Sequence, residues 1–142
     1  MRLHLWVLQL ATLAMIIGGC GRVQGNEGVK KMTVYYLPIG AETLTPITSR
    51  SIQERGRHCE IISSEDIGKI KKVLRDAGKP ASQKFSDSAV RVKLLEASSE
   101  GNRLLAIVEN EGEVRFSDRT EGQISRRGLD TIKKVIESQC RQ

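Results

Sequence analysis

Residues 89–118 constrain the fold more than any other stretch of this chain. Val90, Val92 and Leu94 alternate with charged or small partners, Leu104-Leu105-Ala106-Ile107-Val108 is a continuous apolar run, and Val114 and Phe116 alternate again. Ser98-Ser99-Glu100-Gly101-Asn102 and Asn110-Glu111-Gly112 lie between these runs, and each supplies a glycine for a tight turn. Period-two hydrophobicity broken by short turns predicts three consecutive antiparallel strands. One apolar face of such a meander must be covered, and the chain supplies two helical patterns to cover it.

The first pattern follows Ser63, which can cap the free backbone N–H groups, with Asp66 placed to complete a capping box. Its apolar face is Ile67, Ile70, Val73, Leu74 and Ala77; Ile62 and Ile67 fit a hydrophobic staple, and Gly78 and Pro80 end the helix. The second follows Ser125, with Ile124 and Leu129 as the staple and Leu129, Ile132, Val135 and Ile136 as the apolar face. The two helices match at an offset of 62: Ile70-Lys71-Lys72-Val73-Leu74 parallels Ile132-Lys133-Lys134-Val135-Ile136. Duplication of a strand-plus-helix unit and convergence on one amphipathic solution both account for this. Upstream, Met32 to Leu37 reads as a strand ending at Pro38, and Arg57 to Ile62 as a short strand carrying Cys59. Between them, residues 38–57 read as a long loop with scattered apolar residues, and loops longer than about 15 residues are usually functional or disordered. The expected fold is therefore α+β: an antiparallel sheet of four to five strands against two amphipathic helices, in the order β(β)αβββα.

The first 19 residues stand apart. Arg2 is followed by an apolar stretch from Leu3 to Ile17 and then Gly18-Gly19-Cys20. This is a charged n-region, an apolar h-region and small residues before a cysteine. The Ile17-Gly18-Gly19-Cys20 run resembles the lipobox of bacterial lipoproteins, whose signal peptide is cut before the cysteine once its thiol carries lipid. The resemblance implies a mature chain starting at a lipidated Cys20, anchored by acyl chains in the cell envelope. Two other readings stand beside it: a retained membrane anchor, and an ordinary secretory signal with Cys20 incidental. The apolar stretch is shorter than the roughly 20 residues of a spanning helix, and His4 and Gln9 interrupt it. Gly21 follows the cysteine where Asp would signal inner-membrane retention in the enterobacterial pattern, so the implied site is the outer membrane, facing the periplasm, where the organism has one. The domain plan is then 1–19 signal, 20–31 a glycine-bearing tether and 32–142 a single α+β domain.

Export shapes the rest of the reading. With Cys20 given to lipid, Cys59 and Cys140 remain as a pair, and an oxidising compartment favours a disulfide between them over two free thiols. The signal carries one charged side chain, Arg2, so the mature chain keeps 22 basic against 17 acidic residues. In a cytosolic protein that excess would suggest nucleic acid; here the basic residues are interleaved with acids and the chain is exported, so no nucleic-acid partner is expected. Residues Tyr35, Tyr36, Phe85 and Phe116 are the only aromatics after the signal, so the core must be built from Ile, Leu and Val.

No catalytic set is legible. His58 is the single histidine after the signal, without a second histidine for a zinc site or a serine in a Gly-x-Ser-x-Gly elbow. Glu65 and Asp66 are accounted for as first-turn acids, and the Glu109, Glu111 and Glu113 group reads as solvated at a hairpin turn. No enzyme activity, metal or cofactor is expected. Lipoproteins of this size and plan include immunity proteins against toxins delivered into the periplasm and inhibitors of wall hydrolases. The basic excess would repel cationic wall hydrolases and suits an acidic protein partner. Arg50, Arg55 and Arg57, on and beside the long loop, are the expected contact residues. The alternative is a structural or assembly lipoprotein of the envelope, such as a secretion accessory.

Overall fold

The computed structural model describes residues 30–79 and 84–141. The expected lipidation site at Cys20, the expected signal and most of the expected tether lie outside the described residues. The elements are β1 Met32–Tyr36, α1 Ser51–Arg55, β2 Arg57–Ile61, α2 Ser64–Arg75, β3 Val90–Ser98, β4 Gly101–Glu109, β5 Glu113–Phe116, β6 Glu121–Gln123 and α3 Arg126–Gln139. The fold is α+β, with one open antiparallel sheet in the order β2-β1-β3-β4-β5-β6. It has one strand more than the upper bound read from the sequence, and a third, short helix.

Strand alternation gives the sheet two faces. Met32 and Val34 of β1, Ile61 of β2, Val92 and Leu94 of β3, Ala106 and Val108 of β4 and Val114 of β5 share one face in register. They form the main core with Ile67, Ile70 and Leu74 of α2 and Leu129, Ile132, Val135 and Ile136 of α3. Each edge strand leads directly into one of these helices, β2 into α2 and β6 into α3, and the two helices lie side by side on this face. Fully burying a Leu, Ile or Val side chain is worth about 1.5–3 kcal/mol, so this mostly aliphatic layer, with Tyr36 and Phe116 packed at its margin, contributes most of the burial.

Both helices start on the serine caps that the sequence predicts. Ser63 Oγ accepts from Asp66 N at 3.3 Å, and Ser125 Oγ accepts from Gly128 N at 3.1 Å. At α3 the staple residues Ile124 and Leu129 are both buried. At α2 only Ile67 is buried; Ile62 is exposed. The reciprocal half of the expected capping box is replaced as well, because the Asp66 carboxylate accepts from Lys69 Nζ and from Gln139 Nε2 of α3 at 2.9 and 2.8 Å. The Lys69 ammonium holds the Asp66 carboxyl below its ordinary range, and Glu65 and Asp66 in turn raise Lys69. The α2 helix stops at Arg75, earlier than Gly78, which instead exchanges backbone hydrogen bonds with Gln123 of β6 at 2.9 and 3.0 Å.

The opposite face carries a smaller core of Ile47, Ile52, Phe85, Val90 and Ile107. Its cover is the segment expected to be a loop. Residues 38–57 fold over the sheet, Ile52 of α1 is fully buried, and Ile47 bridges Ser88 and Val90 through backbone hydrogen bonds of 2.9 Å. Thr48 and Ser51 exchange hydrogen bonds at the start of α1, Thr48 N to Ser51 Oγ at 2.8 Å and Ser51 N to Thr48 Oγ1 at 3.1 Å. Lys93 reaches from β3 to Ser49 O and Gln53 Oε1, at 3.0 and 2.8 Å, and burial there lowers its pKa against the opposing pull of Asp87. Glu109, read from the sequence as solvated, is buried: its carboxylate accepts from Ser86 N, Ser86 Oγ, Ser88 N and Ala89 N and so pins residues 86–89 to the sheet. A buried carboxylate survives where several N–H and O–H groups replace its water.

Candidate functional site

Cys59 faces the helical side of β2, beside Val34 in the register, and Cys140 sits at the C-terminal end of α3. They form a disulfide, with Cα atoms 5.6 Å apart, inside the usual window for such bonds. The bond ties the last turn of α3 to an edge strand.

Next to it opens a cleft of about 410 Å³. Its floor is apolar: Tyr36, Leu37, Pro38 and Ile39 where the chain leaves β1, and Ile136 of α3. Its rim is cationic. Arg57 comes from the start of β2, Lys133 from the exposed side of α3 and Arg141 from just beyond the disulfide, against the single acid Glu137. None of these three cations takes part in an ion pair among the described residues, whereas Lys71, on the same face, is paired with Glu96. Unpaired charge beside exposed apolar surface is suited to binding an anionic, partly apolar group, because the cations steer it and the floor supplies area to bury.

The three arginines singled out in the sequence do not form one group. Arg50 and Arg55 bound α1, on the face opposite the main helices; both are exposed, and Arg55 Nη1 donates to Thr45 Oγ1 at 2.7 Å. Arg57, opposite Tyr36 in the register, turns to the α3 side and into the cleft. Lys133 and Arg141 were not anticipated. Their signal was in the sequence all the same: Lys133, Glu137 and Arg141 recur every four residues, a stripe one position on from Ile132, Ile136 and Cys140 of the apolar face. His58 is exposed on the other face of β2, its ring 5.8 Å from that of Tyr35.

Comparison with family models, with curated proteins and with solved structures finds no match to this chain.

Proposed function

We propose that this chain is a lipid-anchored envelope protein that captures and neutralises a protein partner through an acidic, apolar segment of that partner, as an immunity protein does. The observation that carries the reading is the cleft: three cations with no ion pair among the described residues, around an apolar floor, with one wall held by the disulfide. The address comes from Ile17-Gly18-Gly19-Cys20, and the disulfide suits an oxidising compartment. An acidic segment would dock by electrostatic steering and bury its apolar residues on Tyr36, Leu37 and Ile136.

The test uses full-length protein purified from membranes together with the product of the adjacent gene. The expected result is a complex, and protection of cells expressing that product in the envelope, both lost in an Arg57→Glu/Lys133→Glu variant that melts like the parent. A complex and protection unaffected by the double charge reversal would overturn the cleft. Deletion defects with no partner gene in play would favour an assembly role. A Cys20→Ala variant should leave the membrane fraction; one that stays there would remove the lipid anchor.

A further inference from the structure

A second site lies on the other face of the sheet, and it shares no residue with the cleft. Val90 pairs with Glu109 and Val92 with Val108, so Arg91 is the extra residue of a β-bulge. Bulges re-aim side chains and are frequent beside functional sites. Here three consecutive residues, Val90, Arg91 and Val92, are all buried, and Arg91 is only 4% exposed. Its Nη1 donates to Val90 O at 3.0 Å and its Nη2 to Ala41 O at 2.8 Å. Its Nε is buried without a partner, and no carboxylate pairs with the guanidinium among the described residues. A buried guanidinium held by neutral carbonyls alone lacks the counter-charge that normally offsets its desolvation.

This arginine lines an open pocket of about 440 Å³ together with residues 41–46, Ser88, Ala89 and Asn110. Asn110 Oδ1 accepts from Gly40 N at 2.6 Å, which commits the oxygen and leaves the amide N–H groups to donate. Leu44, also in the lining, is fully exposed. The remaining charge in the lining is Glu42, exposed at the rim. We propose that this pocket binds a carboxylate next to an apolar side chain, with Arg91 as the counter-charge, Asn110 as a second donor and Leu44 packing on the apolar part. One guanidinium opposed by one rim acid suits a monoanion and disfavours a phosphate dianion. A chain-terminal carboxylate and a small aliphatic acid share this chemistry.

The experiment is titration of the full-length protein, followed by amide chemical shifts and by melting temperature. The probes are N-acetyl-leucine, its uncharged amide, acetate, and an acetylated peptide ending in a free leucine carboxylate. N-acetyl-leucine should shift the amides of Ala41, Val90, Arg91 and Asn110 saturably and raise the melting temperature, while the amide does neither. Tighter binding of the peptide assigns a chain terminus, and equal binding assigns a small acid. Arg91→Lys keeps the charge but loses the planar fork, and should weaken N-acetyl-leucine about tenfold or more. Glu42→Gln should tighten it, and keeps the test decisive where the arginine variant does not fold. Equal effects of the acid and its amide would overturn the proposal. So would a folded Arg91→Lys protein of unchanged affinity, or a Glu42→Gln protein that melts earlier and binds no better, since that result makes Glu42 the partner of Arg91.

Discussion

Replacing Cys59 and Cys140 together by alanine removes a cross-link between residues 81 apart in the chain. In the chain-entropy treatment, closing a loop of that length in the unfolded state is worth about 4.5 kcal/mol at 25 °C. Small domains have about 5–15 kcal/mol of net stability, so a third or more of the total is at stake. With an unfolding entropy of about 2.1 cal/mol/K per residue over roughly 110 residues, the loss lowers Tm by about 20 °C. Little is lost in the folded state, because α3 keeps Leu129, Ile132, Val135 and Ile136 in the core and only its last turn is freed. The double variant should therefore keep its circular dichroism spectrum at 25 °C and melt far earlier. Its urea m-value should rise, since an uncross-linked unfolded chain exposes more surface. A Tm within about 5 °C of the parent would refute the loop-closure reasoning. The freed turn carries Arg141, so reduction should also weaken whatever the cleft binds.

Three further outcomes follow from the same geometry. Glu109→Gln turns one of the acceptors facing Ser86, Ser88 and Ala89 into a donor, and should cost about 2–3 kcal/mol in urea denaturation; a neutral result would remove the carboxylate from its role in holding that segment. The Lys71 hydrogen bond, then Arg103, holds the Glu96 carboxyl below its usual 4.5, so its contribution is present above that value and is lost as pH falls through the lowered folded value. The parent should exceed Glu96→Gln by about 1 kcal/mol at neutral pH, with the gap closing in acid; a gap independent of pH would refute the pairing. Gly112 has φ +100 and a Cβ there would lie 2.6 Å from Ile124 O, whereas Gly101, at φ +112, has open space around it. Gly101→Ala should cost about 1–2 kcal/mol for the backbone alone and Gly112→Ala clearly more, as read by thermal melts.

What the sequence made legible was whatever repeats with a period. The helices declared themselves by Ser63 and Ser125 followed by Ile, Leu and Val at helical spacing, and both serines cap in the structure. The strands from Val90 to Phe116 declared themselves by alternation at both ends and by the unbroken apolar run Leu104 to Val108 between them, and the cysteine pair by the chemistry of the implied compartment. What stayed hidden had no period. The β6 strand is Glu121-Gly122-Gln123, without one apolar side chain, and exists because Val114 and Gly78 offer it backbone partners on both sides. The α1 helix is five residues anchored by Ile52 alone, too short to show a face. Alternation also misplaced Val90: it was grouped with Val92 and Leu94, but the bulge at Arg91 turns it to the opposite core. The cleft was half legible, since Arg57 was singled out but its companions lie on α3, 76 residues and more away.

The sheet also orients both candidate sites. The chain enters β1 at Met32, where Ala97 N bonds Lys31 O and Lys31 pairs with Glu60. The cleft and the Arg91 pocket lie at the Tyr36 end, about 13 Å further along the strand, on opposite faces of the sheet. Two sites at one end of a thin sheet can serve one partner that wraps the edge, or two unrelated ligands. A double-mutant cycle separates these cases. If one partner spans both, Arg57→Glu and Arg91→Lys should each weaken its capture, and their combined loss should equal the sum to within about 0.5 kcal/mol, since the two sites share no side chain. If the ligands are independent, Arg91→Lys should leave capture unchanged while weakening the carboxylate response. Loss of capture on Arg57→Glu with none on Arg91→Lys would contradict a single wrapped partner, because a partner engaging both sites must lose affinity when either is changed.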